Sequence, residues 1–554
     1  MKDDARSLIS RASDVVLRTF GDVWLVWLAL AIVTTLPYIL AMLRTPAGHT
    51  FTGVLGAYDD TFTYFAWIRQ SADGHVLLRD LFTSEPQPRE FFLPLWSLIG
   101  FAARVTGASV AVMFHIARLL AALLLLMAAR TTALMVMKSR TRVRYTLWLY
   151  AMSSGLGWLV YAVRNRTNLL GAQSISGSVD LTMPEAIAFR SVFGQVHFAI
   201  GAALVAYAIR FFIIAIAEKQ TGRAFTAGLL VSLLALVHPY LVVVVVSVAI
   251  VSILIIPWLK FAAEERPSFL SIAKIALVFG AASLPGIGYL LYLSRTNEVL
   301  REWLRITDTL SPAPHEYLLG FGICAALAVV GFRLLWNSRA TYGRLLLIWT
   351  LVQAALLYAP VSFQRRLVEG LQLPLVLAAS VAVFWIAQRF LGGRASRYRK
   401  AYLAAVIVIS SITNIGFIVG QVVANGNSIS VDSRRYVPDD LRAAFEYVRT
   451  HADANAVLFS HYLTGNLAPS ATGLRVFLGH YGQTIDADEK GTQVTAFYAG
   501  AFDDTVAREL FAKNEVRYVF YGPFERASYA GFVPPRWMNL ASRFGNVDVY
   551  EVDR

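Results

Sequence analysis

Val23-Trp-Leu-Val-Trp-Leu-Ala-Leu-Ala-Ile-Val-Thr-Thr-Leu-Pro-Tyr-Ile-Leu-Ala-Met-Leu43 runs for about 21 residues without a charge. As a helix it rises ~31 Å, enough to cross a hydrocarbon core of ~30 Å. It exceeds the ~7–15 apolar residues of a signal peptide, so it reads as an uncleaved first span. Runs of the same kind recur at 110–137, 145–163, 196–217, 224–237, 240–259, 275–293, 317–336, 345–359, 371–390 and 401–423. Only 16% of the chain is charged and 56% is hydrophobic, whereas soluble chains carry about 25% charged residues. The pattern predicts a mainly α, polytopic transmembrane helical bundle of about 11 spans.

Loop charge sets the orientation. The most basic connections, 138–144 and 392–400, fall on one side of the membrane if the spans alternate, and basic loops stay in the cytoplasm. The N-terminus is then cytoplasmic and the last span delivers the tail outside. Before the first span, Leu8, Ala12, Val15 and Phe20 alternate with Arg6, Arg11 and Arg18, which predicts an amphipathic helix on the cytoplasmic interface. Runs 224–237 and 345–359 are short; the first rises only ~21 Å as a helix. Polar groups left at membrane depth by short helices must line a protein cavity.

The tail, 426–554, changes character. Helices are expected at 438–451 and 504–513, the latter capped by Asp503 or Asp504, and strands at 456–460, 516–521 and 546–552. Alternation of strand and helix predicts a small extracytoplasmic α/β domain. The division expected is therefore a membrane domain, 1–425, with a long first outer loop at 44–107, and the tail domain.

The net charge of +14 does not indicate nucleic acid. The tail holds roughly 13 basic and 16 acidic residues, so the excess sits in the membrane half and not on a soluble face. Cys324, the single cysteine, lies in an apolar run, so no intrachain disulfide forms.

The outer loop holds most of the candidate chemistry. In Ala57-Tyr-Asp-Asp-Thr-Phe-Thr-Tyr64, Asp59 and Asp60 open a helix whose Tyr64, Trp67 and Ile68 share a face. Acidic residues there can cap the helix and complement its dipole. As a carboxylate pair above the membrane they can also take a proton or hold a divalent metal such as Mg or Mn. Glu85, in Thr83-Ser-Glu-Pro-Gln87, is a third carboxylate of the loop. At the outer ends of spans lie His197, and His238 in His238-Pro-Tyr240; ionisable groups at such depth are functional candidates. In Phe363-Gln-Arg-Arg366, Arg365 and Arg366 stand on the outer side against the charge rule. An anionic lipid or phosphate is a natural partner for a guanidinium fork; an ion pair, for instance with Glu369, is the structural alternative.

Together these segments resemble the GT-C superfamily of membrane glycosyltransferases, particularly bacterial members that use polyprenyl-phosphate-linked sugars. The resemblance rests on the Tyr58–Tyr64 stretch, Thr83–Gln87, His238–Tyr240, Phe363–Arg366, and in the tail Gly465-Asn-Leu-Ala-Pro469, Gly479-His-Tyr-Gly-Gln483 and Tyr518-Val-Phe-Tyr-Gly522. It implies a GT-C-like bundle in a bacterial plasma membrane, transferring a hexosyl or pentosyl group outside the cytoplasm. An aspartate of the pair would be the base or metal ligand, with Glu85, Tyr64, His197, His238, Gln364, Arg365 and Arg366 binding substrate. The acceptor, whether glycan, lipid or protein, stays open. A transporter or flippase would instead show inverted repeats and a midplane pathway, and an assembly protein would leave the outer arginines unexplained.

Overall fold

A computed structural model describes residues 2–167, 177–256, 267–306, 308–338, 341–392, 396–424 and 433–552. The chain is an integral, multi-pass membrane protein built mainly of helices, with a small sheet near its C-terminal end. Seven described helices are long and apolar enough to cross a membrane: Gly21–Leu43, Val110–Val136, Arg140–Val163, Val196–Ala217, Phe269–Thr296, Pro314–Asn337 and Gln364–Leu391. A bent pair, Ser396–Ser410 and Ile412–Val423, makes an eighth, and Thr221–Val237, Leu241–Ile255 and Thr341–Leu356 are shorter apolar helices. Each of the eleven runs read from sequence corresponds to one of these. The helix before the first span is continuous with it from Lys2, but the amphipathic side chains expected there lie outside the described residues, as do parts of the loops at 260–274 and 392–400.

The breaks have local causes. The span expected at 401–423 bends by 50° at Ser411. There the Ser410 carbonyl accepts from the Ser154 N–H at 2.6 Å and the Ser154 hydroxyl at 2.8 Å, so it is drawn out of the helical ladder. The third span breaks between Met152 and Gly157, where the buried Asp180 carboxylate accepts from the Gly155 and Gly157 N–H groups at 2.9 and 3.1 Å.

The chain divides into two compact units. The first comprises Met1–Pro37, Arg118–Leu290 and Thr309–Gln421, and the second Tyr38–Ala117, Leu291–Asp308 and Val422–Arg554. In the first, Arg118 is fully buried and donates to Thr34 and Thr35 hydroxyls and the Val192 carbonyl at 2.9–3.1 Å. At a span end, Asp22 accepts from Arg130, Arg140 and Arg144 at 2.5–3.3 Å. Buried guanidinium and carboxylate groups at these depths persist because each is paired.

The second unit combines the 44–107 loop with the tail. Strand β1 (His49–Phe51) of the loop pairs antiparallel with β2 (Tyr436–Pro438). The tail sheet comprises β3 (Val457–Phe459), β4 (Arg475–Val476), β5 (Val516–Tyr521), β6 (Met538–Phe544) and β7 (Val547–Val552), in the order β4-β3-β5-β7-β6. β3 runs parallel to β4 and β5, and β7 runs antiparallel to β5 and β6. Phe459, Phe477, Phe497 and Phe511 fill the core against its face. The expected helices appear as Asp439–His451 and Asp504–Lys513, and Asp503 is the cap of the second, accepting from the Val506 N–H.

Candidate functional site

The loop helix Tyr58–Ala72 of the second unit presents Asp59 and Asp60, but neither caps it. The N-cap position is Ala57, in the left-handed region at φ 47°. A non-glycine residue there costs about 1–2 kcal/mol, and the Thr61 N–H and hydroxyl both bond its carbonyl, at 2.9 and 2.8 Å. Asp59 and Asp60, one and two residues into the helix, are thereby released from the capping role that their position suggested.

The two carboxylates have different surroundings. Asp59 Oδ1 accepts from Arg434 Nη1 at 2.9 Å and from the Tyr462 hydroxyl at 2.6 Å. Arg434 is buried and also donates to Asn466 Oδ1 at 2.7 Å, which fixes the guanidinium. Asp60 keeps about half of its side chain exposed, at 52%, and its Oδ1 lies 3.8 Å from His480 Nε2. The Gly482 N–H donates to His480 Nδ1 at 3.0 Å, which leaves Nε2 as the ring nitrogen facing Asp60.

Glu85 belongs to a second cluster of this unit. Lys490 Nζ donates to its two oxygens at 2.7 and 2.9 Å, and the Thr83 hydroxyl also donates to it. Burial holds the Lys490 ammonium below its ordinary value. Asp80 lies in the same electrostatic surroundings, and burial pushes its carboxyl up to about 7 against backbone donation from Phe82 and the fields of His480 and Lys490. Only Oδ1 of Asp80 is bonded, to the Phe82 N–H at 2.8 Å; Oδ2 has no hydrogen-bond partner among the described residues. Tyr64 stacks on Trp96 at 4.5 Å with the planes 6° apart.

The remaining candidates belong to the first unit. Glu185, buried, lies 3.7 Å from Arg365 Nε and 3.5 Å from Arg366 Nη1, while the arginine side chains remain 34% and 22% exposed. Glu185, and not Glu369, is thus the carboxylate beneath the pair. Glu369 instead lies with Oε2 3.0 Å from His238 Nδ1, and the His197 and His238 rings sit 5.1 Å apart, nearly perpendicular. Gln364 spans backbone groups, accepting from the Ser311 N–H at 3.1 Å and donating to the Ala359 carbonyl at 2.8 Å.

The residues present do not suit Mg or Mn at the aspartate pair. Such ions need a shell of about six oxygens, and Asp59 is already neutralised by a guanidinium at 2.9 Å. Among the described residues no three His, Cys, Asp or Glu side chains converge on a position that could hold a metal.

No family model matches the sequence, and no curated protein matches it. Its structure does have counterparts. ArnT from Cupriavidus metallidurans, solved bound to undecaprenyl phosphate, superposes with a TM-score of 0.52 at 12% identity, over 96% of this chain and 98% of that one. The arabinofuranosyltransferase AftD from Mycobacteria superposes with a TM-score of 0.54 at 11% identity, over 95% of this chain, which spans 40% of AftD. The fold is the GT-C fold.

Within this GT-C fold, sequence reading missed Arg434, Tyr462, His480, Lys490, Asp80 and Glu185. His480 sits in the Gly479–Gln483 stretch already singled out, and Glu185 follows Pro184 in the segment leading to the fourth span. Arg434, Tyr462 and Lys490 carried no signal of spacing, since their partners lie hundreds of residues away: 375 between Asp59 and Arg434, and 405 between Glu85 and Lys490.

Proposed function

We propose that the protein is a membrane glycosyltransferase, moving a hexosyl or pentosyl group from a polyprenyl-phosphate-linked donor to an acceptor hydroxyl at the extracytoplasmic face of a bacterial plasma membrane. The acceptor oxygen attacks the anomeric carbon, the carbon–oxygen bond to phosphate breaks, and the polyprenyl phosphate leaves with the electron pair. The acceptor proton passes to Asp60. Arg365 and Arg366 offset the charge gathering on the leaving phosphate, and undecaprenyl phosphate bound to ArnT supports a lipid of that class as the donor's carrier.

One observation carries the choice of base. Asp59 is tied to Arg434 and Tyr462, whereas Asp60 keeps an exposed carboxylate. A base must reach a substrate proton, and Oδ1 of Asp59 is already taken up by two protein donors. The test is transfer from radiolabelled undecaprenyl-phosphate-mannose and decaprenyl-phosphate-arabinose by membranes carrying wild-type protein or Asp60→Asn. The variant should insert and bind donor normally while losing 10²–10⁴-fold in rate, the usual range for a general base. Transfer by Asp60→Asn at the wild-type rate sinks the assignment.

A further inference from the structure

The tail portion of the second unit contains a cavity of about 620 Å³ that none of the roles assigned above uses. Tyr462, Tyr481 and Tyr529 line it, with Asp488, Thr495 and Gly491 of the helix Ala487–Tyr498. No lysine or arginine lines it among the described residues, so an anionic occupant would meet Asp488 without a counter-charge. Aromatic faces beside a carboxylate and a hydroxyl suit a neutral polyol: the rings cover apolar C–H faces and the oxygens accept from hydroxyls.

Three details indicate a built site. Tyr481 is 72% exposed, an unusual position for a ring of that size, and it stacks on His480 at 5.3 Å with the planes 13° apart. Tyr529 stacks on Tyr498 at 5.0 Å and 9°, and its hydroxyl lies 3.3 Å from Thr495 Oγ1. Both rings are therefore held before any ligand arrives, which lowers the ordering cost of binding. The third detail is Gly491. Glycine inside a helix weakens it, yet a Cβ added here would meet nothing within 4 Å. Neither close packing nor a left-handed backbone calls for glycine at this position; its effect is to leave room in the cavity.

The cavity also adjoins the acidic pair. Tyr462, one of its walls, donates to Asp59 at 2.6 Å and accepts from the Tyr481 N–H at 3.3 Å. We infer that this cavity binds the acceptor, and that the acceptor is a neutral oligosaccharide, with a ring face on Tyr481 and hydroxyls bonded to Asp488 and Thr495. The inference rests on the glycosyltransferase reading for the word acceptor, but binding is measured apart from transfer.

The experiment titrates full-length protein in detergent with mannotetraose, arabinohexaose and maltohexaose, and with hexagalacturonate as the acidic comparison. At least one neutral probe should bind saturably. Tyr481→Ala and Gly491→Met should each weaken it about tenfold or more, with melting midpoints no lower than wild type for Gly491→Met. The proposal is overturned if no neutral probe binds, if hexagalacturonate binds better, or if binding ignores both cavity substitutions. Binding with the expected sensitivity in a protein whose Asp60→Asn variant still transfers sugar would leave the cavity standing and remove only the role of Asp60.

Discussion

The Tyr462 hydroxyl donates to Asp59 Oδ1 at 2.6 Å and shares that oxygen with Arg434 Nη1 at 2.9 Å. Neighbouring aspartates of one helix should therefore fail differently when neutralised. Asp59→Asn removes the negative charge that the buried Arg434 and the Tyr462 hydroxyl bond, which should cost about 1–3 kcal/mol and lower the melting midpoint. Asp60→Asn, at an exposed side chain, should stay within about 0.5 kcal/mol. Equal melting of the two variants would contradict this division.

The arginines of the first unit offer a second contrast. Arg365→Ala or Arg366→Ala removes charge-assisted donors worth about 1.5–3 kcal/mol, so affinity for a polyprenyl-phosphate sugar should fall about 10–100-fold. Glu185, beneath both, holds their geometry. Glu185→Gln should weaken donor binding less than loss of either arginine does. Donor affinity measured beside a melting curve decides it: arginine variants that melt early and bind normally would show a purely structural pair.

Asp80 makes a prediction about pH. Its carboxyl is pushed from 3.8 to about 7 by burial. Between those values the unfolded chain gives up the proton while the folded one keeps it. The unfolded state then binds fewer protons, so this group's contribution to stability falls as pH rises through the window and is constant above it. Asp80→Asn cannot ionise. Its melting midpoint relative to wild type should therefore be higher at pH 8 than at pH 5, and a difference independent of pH would refute the assignment.

Gly201 lies where an added Cβ would come 2.1 Å from Glu369 Oε1 and 3.2 Å from His238 Nδ1. Gly201→Ala must displace a fully buried carboxylate, and overpacking of this kind costs about 1–3 kcal/mol. The variant should melt earlier than wild type, and the double variant Gly201→Ala, Glu369→Ala should recover part of the loss. An unchanged melt for the single variant would show that Glu369 moves freely.

Much of the fold was legible because lipid imposes a long, one-dimensional signal. A span must hide its backbone from the bilayer along its whole length, so each of the eleven runs announced itself. In the tail, Val516–Tyr521 and Val547–Val552 were readable from β-branched and aromatic content. Met538–Phe544 was not, because it is a half-exposed edge strand with Asn539, Ser542 and Arg543 among its residues. The helix Ala487–Tyr498 was hidden by a polar first turn and Gly491, and Tyr462–Thr472 by Gly465 and Pro469. The site was legible only in part. Asp59 and Asp60 stood out as candidates by type and place, but an ion pair has no period, and Arg434 could be tied to Asp59 only once the chain was folded.

The pairing of β1 with β2 ties a segment made early to one made late. The loop helix emerges from the ribosome 375 residues before Arg434 and 403 before Tyr462. At about 5–20 residues per second that interval is roughly 20–80 s. Throughout it β1 lacks its partner strand and Asp59 its counter-ion, while most of the spans are still being made. Assembly of the second unit is therefore a late event in biogenesis, set by the clock of translation more than by the loop's own propensity, and a chain released before Arg434 can carry its spans in the membrane with this half of the molecule still unassembled.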